Sequence, residues 1–316
     1  MAELHGRGLD ELPAIGPAAV TMGAFDGIHS GHAAILQATR AAAMELTVAS
    51  VALVFDPHPD EILHPGSPVP RLAPLPVNLG RIRQQGIDHA LVIRFDEHLR
   101  SLTAEQFLAG LAPSIDLCAL VMSRESAFGR GRGGTAAHMR QVGRDQSFGV
   151  VTVERVRLGG EPVSSSRVRD AIVAGRIATA REMGVAPYLE GTVVQGDRRG
   201  HELGFPTANL AFEYLPVMPL QGIYAGRAMI SGLPGGRSGP MAPALVSIGT
   251  RPTFHDDGVE LVEVHLLDFE ADLYGQTVGV ELVAWLRDER RFGSAAELVV
   301  QMRRDAAEAR RILGVA

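Results

Sequence analysis

Two histidines three residues apart, His29 and His32, sit among glycines in the run Gly23-Ala24-Phe25-Asp26-Gly27-Ile28-His29-Ser30-Gly31-His32. An apolar stretch precedes the run and a helical pattern starts near Ala33, so both imidazoles stand where a strand meets a helix N-terminus, among free backbone amides. That is an anion site. Imidazole donors there can stabilise the charge that develops on a phosphate under attack, and Gly27 and Gly31 allow close approach. Without the strand and the glycines, the same pair would read as half a metal site or as solvated residues at a helix start. A second constellation lies in Gly191–Leu210, where Gly196, Gly200 and Gly204 permit backbone approach to phosphates. In it, Thr207 and Asn209 offer hard oxygens to Mg2+. Three other groups are ambiguous by themselves. Asp56-Pro57-His58-Pro59 is a stiff turn that stops a strand. Ser164-Ser165-Ser166, ahead of Arg167 and Arg169, is a serine N-cap with surface arginines. Glu263 alternates with Val262 and Val264 and reads as a polar residue on the wet side of a strand.

Composition narrows the chemistry. The chain has 316 residues, beyond the size at which one core usually keeps growing, which predicts two domains. Hydrophobic residues at 46% and charged residues at 21% fit a soluble globular protein. Cys118 is the only cysteine, so neither an intrachain disulfide nor a cysteine zinc cage can form, and a reducing compartment is expected. Met1–Pro17 carries Glu3, Asp10 and Glu11 without an apolar run, and no stretch of about 18 apolar residues occurs later, which predicts a cytoplasmic protein with no membrane partner. The net charge of −6 argues against a nucleic-acid partner. All 30 basic residues are arginine, so phosphate chemistry must run on arginine, backbone amides and metal, which excludes Walker A kinases and protein kinases.

Behind these residues the chain shows two patterns. Up to about Gly184, apolar runs (20–23, 48–55, 90–95, 117–121 and 150–156) alternate with helical stretches (33–43, 81–85, 104–111 and 138–148). This predicts a parallel sheet with helices on both faces, a Rossmann-like α/β domain whose ligands bind beyond the carboxyl ends of the strands. After Pro187, period-2 stretches at 190–194, 223–230, 244–248, 261–267 and 278–286 are broken by Gly and Pro, and only Ala295–Leu313 reads as a long helix. These predict a small antiparallel β-barrel with one C-terminal helix, the boundary falling near Met183–Tyr188. Gly232–Gly239 is expected to be a surface hairpin.

The motifs themselves resemble a known family. Gly23 to His32 is similar to the H-x-G-H signature of nucleotidyltransferases and, in its fuller form, to flavin adenylyltransferases. Phe55-Asp56-Pro57-His58-Pro59 resembles that family's F-D-P-H-P, and Ser164-Ser165-Ser166-Arg167-Val168-Arg169 its I-S-S-T-x-I-R. Pro206-Thr207-Ala208-Asn209 resembles the P-T-A-N of riboflavin kinases, with His201 where arginine is usual. The likeness runs on through Gly222-Ile223-Tyr224, Val246 to Phe254, Val262 to Phe269, Leu273-Tyr274-Gly275 and Leu286 to Phe292. Taken over most of the chain, it is to the bacterial bifunctional riboflavin kinase/FMN adenylyltransferases.

The resemblance implies a division at 1–184 for FMN adenylyltransferase and 187–316 for riboflavin kinase, with riboflavin, FMN and ATP as substrates and Mg2+ as the metal. It implies ATP binding by Gly23, Phe25, Asp26, Gly31, Ser164, Ser165, Ser166 and Arg169 in the first domain and by Gly196, Gly204, Thr207 and Asn209 in the second. His29 and His32 would act in adenylyl transfer and Glu263 as the kinase base; His265 would be structural. A base suffices there, because a loose phosphoryl-transfer transition state asks mainly for an oriented hydroxyl. Flavin would meet Asp56, Pro57, His58, Pro59, Ser126 and Phe128 in one domain and Arg287 and Phe292 in the other. One segment departs from the family pattern. Where G-x-D-F-x-F-G is usual, the chain reads Ser123-Arg124-Glu125-Ser126-Ala127-Phe128-Gly129, which removes an aromatic platform. Two alternatives therefore stand beside the bifunctional reading: a kinase with a degenerate or regulatory N-terminal module, and a flavin-binding or nucleic-acid-binding protein without catalysis. A monomer or weak homo-oligomer is expected.

Overall fold

The computed structural model describes residues 8–196, 204–231, 241–251, 259–269 and 271–315. The expected hairpin at Gly232–Gly239, and Gly200 and His201, lie outside the described residues. By internal contacts the chain forms two units, one running to Val69 and from Leu75 to Ser165, the other made of Pro70–Pro74 and the chain from Ser166 onward.

The first unit begins with β1 (Gly16–Gly23), α1 (Ser30–Leu46), β2 (Ala49–Asp56), α2 (Pro59–Leu63), α3 (Leu75–Gln84) and β3 (His89–Arg94). It continues with α4 (Glu97–Ser101), α5 (Ala104–Leu111), β4 (Ile115–Ser123), a ribbon of β5 (Ala127–Phe128) and β6 (Gly134–Thr135), α6 (Ala136–Gln146) and β7 (Gly149–Val153). A second ribbon, β8 (Arg157–Leu158) with β9 (Glu161–Pro162), follows. The main sheet has the order β3-β2-β1-β4-β7 and every pairing in it is parallel. Val51, Ala52, Leu53 and Val54 of β2 are all fully buried, the signature of a strand covered on both faces. One face packs against Leu36 of α1 and Leu79 and Ile82 of α3. The other packs against Phe107, Leu108 and Leu111 of α5 and Met139 and Val142 of α6. Strand order reverses between β1 and β4, so a crevice opens at their carboxyl ends, and the loop after Gly23 leaves the sheet at that point.

α7 (Ser165–Val173) leads into the second unit, which holds α8 (Ile177–Glu182), β10 (Tyr188–Val194), β11 (Ala208–Ala211), β12 (Gly222–Ser231), β13 (Ala242–Arg251), β14 (Val259–Leu266), β15 (Thr277–Arg287) and α9 (Ala295–Leu313). The strands close an antiparallel barrel in the order β10-β11-β14-β13-β12-β15. Alternation sends Ala208, Leu210, Val262, Val264, Val278, Val280 and Leu282 inward. α9 covers part of the outside, with Ala306, Ala309 and Leu313 against Ala225 and Leu245. Ile177 of α8 joins the barrel core, and Arg181 pairs with Glu281 at 2.6 Å. Pro70–Pro74 is held to the same unit by backbone bonds, Arg71 N–H to the Leu215 carbonyl at 2.8 Å and Val217 N–H to the Arg71 carbonyl at 3.0 Å. Both expected architectures, the parallel sheet and the antiparallel barrel with its C-terminal helix, are thus present.

Candidate functional site

At the switch point, the chain leaves β1 in a loop with three positive φ angles: Phe25 at 47°, Gly27 at 82° and Ile28 at 43°. For Phe and for β-branched Ile this is a strained backbone that surrounding contacts must hold. Asn78, from α3, is only 3% exposed and reaches into the loop. Its Oδ1 accepts the Gly27 N–H at 3.0 Å and its Nδ2 donates to Asp26 Oδ1 at 3.4 Å. Asp26 is itself 1% exposed, and its carbonyl accepts the Ser165 hydroxyl at 3.2 Å.

His29 caps α1. Its Nδ1 accepts the His32 N–H at 3.2 Å, so a neutral His29 ring carries its proton on Nε2. The two imidazoles stack with centroids 3.8 Å apart, and Phe25 meets His32 edge-on at 5.2 Å. Gly31 follows from this packing, because a Cβ there would stand 3.0 Å from the His29 ring. The site therefore presents two ring systems at a helix N-terminus, where the dipole and amides favour a phosphate.

The flavin-side residues expected in this unit lie at neighbouring strand ends. Asp56 closes β2, and His58 caps α2 by accepting the Asp60 N–H on Nδ1 at 3.2 Å; Pro57 and Pro59 flank it. After β4, Ser126 donates through both N–H and Oγ to the Ser123 carbonyl, at 3.1 and 2.8 Å. Glu125 pairs with Arg155 and Arg124 with Glu154. Phe128 packs edge-on against Phe107 at 5.7 Å. Ser164 precedes α7. Ser166 and Arg169 belong by contacts to the second unit, where Arg169 Nε donates to the Pro70 carbonyl at 2.8 Å.

In the second unit, β11 and β14 bring the kinase-motif residues together. Asn209 opposes Glu263 in the antiparallel register, and both point away from the core because Ala208, Leu210, Val262 and Val264 point into it. The Thr207 hydroxyl donates to Glu263 Oε1 at 3.3 Å. Asn209 is 6% exposed, and its buried Oδ1 has no hydrogen-bond partner among the described residues. A Cβ on Gly196 would collide with the Asn209 amide, and Gly204 has φ 78°, so both positions need glycine. A cleft of about 680 Å³ is lined by Gly196, Gly204, Thr207, Asn209, Phe269 and Tyr274 among others. An orphaned amide oxygen beside a threonine hydroxyl and a carboxylate is a hard-oxygen donor set that fits Mg2+. Among the described residues no group of three or more His, Cys, Asp or Glu side chains could hold a metal ion by itself. His265 Nδ1–H donates to the Pro206 carbonyl at 2.8 Å, which holds the turn ahead of Thr207.

Arg287 and Phe292 are also brought together. The Arg287 guanidinium lies 5.9 Å from the Phe292 ring centre and is clamped by buried Asp305 at 2.7 to 3.1 Å; Arg290 stacks on the same ring at 4.9 Å. Sequence reasoning missed Asn78 and the clamping role of Asp305. The signal for Asn78 was an amide on the buried stripe of α3 beside Leu79 and Ile82.

Residues 13–167 match the FAD synthetase family, and residues 183–313 match the riboflavin kinase family. The bifunctional riboflavin kinase/FMN adenylyltransferase of Pseudomonas fluorescens is 36% identical over 307 residues, 96% of each chain. That of Escherichia coli (strain K12) is 33% identical over 298 residues, 94% of this chain and 93% of the relative. The Bacillus subtilis (strain 168) protein of the same name is 30% identical over 294 residues, 92% of this chain and 90% of the relative. A solved structure described as a macrolide-efflux protein from Streptococcus pneumoniae superposes with a TM-score of 0.86 at 27% identity, covering 98% of this chain and 99% of its own. Among the described residues no helix is long and apolar enough to cross a membrane.

Proposed function

The chain belongs to the bifunctional riboflavin kinase/FMN adenylyltransferase family, and from that premise we propose how its residues share the two reactions. The protein phosphorylates riboflavin with ATP to give FMN, and adenylylates FMN with a second ATP to give FAD and pyrophosphate. The observation that supports the division is the meeting of Thr207, Asn209 and Glu263 on one outer face of the barrel in the second unit, while the imidazole pair at the N-terminus of α1 belongs to the first.

In the kinase reaction, Glu263 orients the 5′-hydroxyl of the ribityl chain and accepts its proton as the oxygen attacks the γ-phosphorus of ATP, whose bond to the β–γ bridging oxygen breaks so that ADP leaves. Thr207 and Asn209 would hold the Mg2+ that accompanies ATP, which would neutralise phosphate charge in a chain without lysine. Gly196 and Gly204 let the backbone lie against the nucleotide, and Arg287 with Phe292 covers the flavin ring. In the adenylyl transfer, an FMN phosphate oxygen attacks the α-phosphorus of ATP and pyrophosphate leaves. His29 donates from Nε2 and His32 from its stacked ring to the oxygens that gain charge. Gly23, Phe25, Asp26 and Gly31 shape the nucleotide pocket with Ser164 and Ser165; Ser166 and Arg169 are assigned to the phosphates by their place in the family motif. Asp56, Pro57, His58 and Pro59 with Ser126 and Phe128 form the flavin side. The boundary between the activities is placed at 184–187, in the cytoplasm the protein works as a monomer or weak homo-oligomer, and it has no nucleic-acid partner.

Incubation with riboflavin, ATP and Mg2+, followed by separation of the flavins, tests the reading. FMN should appear first and FAD after it, and chelation of the metal should stop FMN formation. Persistence of FMN formation without divalent metal would remove Mg2+ from the proposal.

A further inference from the structure

We infer that Asn78 is a positioning residue for adenylyl transfer, holding the Asp26–Gly27 turn so that His29 and His32 face the reacting phosphate. The inference rests on the assignment of that reaction to the His29–His32 site. Its physical basis is the backbone of the loop. Phe25, Gly27 and Ile28 all have positive φ, and a loop that carries two non-glycine residues in that region relaxes unless contacts outside it fix its shape. Ser165 and Asn78 both reach it from other elements. Ser165 grips the Asp26 carbonyl, and Asn78 grips both the Gly27 N–H and the Asp26 carboxylate, across 51 and 52 residues of sequence.

Asn78 suits that task because one planar amide offers an acceptor and a donor at once. Its acceptor takes a backbone N–H one residue before Ile28 and two before His29. The side chain is 3% exposed, so its removal leaves the Gly27 amide without this acceptor in a buried setting, and the loop would shift toward other partners. Leu79 and Ile82, beside it on α3, are packed into the sheet, so the amide is carried by a rigid element and not by a mobile one. A displacement of the imidazoles by about 1 Å is enough to cost roughly 10²-fold in rate.

The test uses the full chain, with riboflavin phosphorylation by the second unit as an internal measure of intact protein. Asn78→Ala should lower kcat for FAD formation from supplied FMN about 10- to 100-fold, with KM for FMN within about threefold and FMN formation within about twofold of the parent. Asn78→Gln keeps an amide donor and acceptor one methylene further out and sets no second carboxylate against Asp26, so it should fold where alanine does not, and its kcat should exceed that of the alanine variant. His29→Ala, measured alongside, separates the two levels of the argument. If His29→Ala forms FAD normally, the site assignment itself fails. If His29→Ala is inactive while Asn78→Ala keeps its kcat within twofold, or changes only KM, the positioning role of Asn78 is overturned. Equal rates for the Ala and Gln variants would overturn the contact with the Asp26–Gly27 turn as its point of action.

Discussion

At the scale of single residues, the two reactions predict opposite patterns of loss. His32→Ala should reduce FAD formation about 10²-fold or more and leave FMN formation unchanged, since only the adenylyl site loses a donor to developing charge. Glu263→Gln should do the reverse. It keeps the shape and the contact with Thr207 while removing the negative charge, so ATP binding should persist and kinase turnover fall roughly 10²-fold. Titration of ATP and separate assays of both products check this, and near-normal kinase turnover would remove Glu263 from the mechanism. Thr207→Ala should weaken ATP binding and turnover together. The candidates for both sites could be read because the histidine pair with its strand and glycines, and Pro-Thr-Ala-Asn, are local patterns. Asn78 was not legible as a site residue, since its partners Asp26 and Gly27 lie more than 50 positions away.

Elements show a second kind of dependence. α8 lies ahead of the 184–187 boundary in sequence yet sends Ile177 into the barrel core and ties Arg181 to Glu281 and the Leu282 carbonyl. A fragment starting at residue 187 lacks all of these contacts, and one starting at residue 166 retains them. Loss of a buried isoleucine costs about 2–5 kcal/mol, so the shorter fragment should unfold at clearly lower urea, and equal midpoints would show that α8 adds nothing. Between α5 and α6, the Glu105 carboxylate meets His138, which is the main reason its pKa is held down to about 2. A lowered carboxylate stabilises the fold above its ordinary pKa near 4.5 and loses that contribution as the pH falls toward 2. Both side chains are more than two-fifths exposed, so the stability gap between parent and Glu105→Gln should be no more than about 1 kcal/mol. Thermal melts should show the gap at pH 6 and close it through that window; a gap that widens in acid would refute the pair. The long elements were readable from periodicity, Ala295–Leu313 and Ala104–Leu111 to the residue. β11 was not, because Ala208–Ala211 is too short to show alternation, and the bond of Arg71 to Leu215 depends on contacts that no local pattern encodes.

For the whole molecule, two separate centres in one chain predict complementation. Mixing His29→Ala with Glu263→Gln chains should convert riboflavin to FAD, after a lag set by build-up of free FMN, because the second chain can use FMN that the first releases. Absence of FAD from the mixture, with each variant active in its own half-reaction, would mean that FMN passes only within one chain. The closure of the barrel carries a consequence for chains crowded together. Each of its six strands is paired on both sides, so it offers no row of unpaired amides and carbonyls to a neighbour. The parallel sheet does have margins, β3 and β7, and β7 carries half-exposed valines at 150 and 151. Any strand-by-strand aggregation from the folded state must therefore begin in the adenylyltransferase half, and a charge placed at Val151 should delay fibre formation there while the same change in the barrel would not.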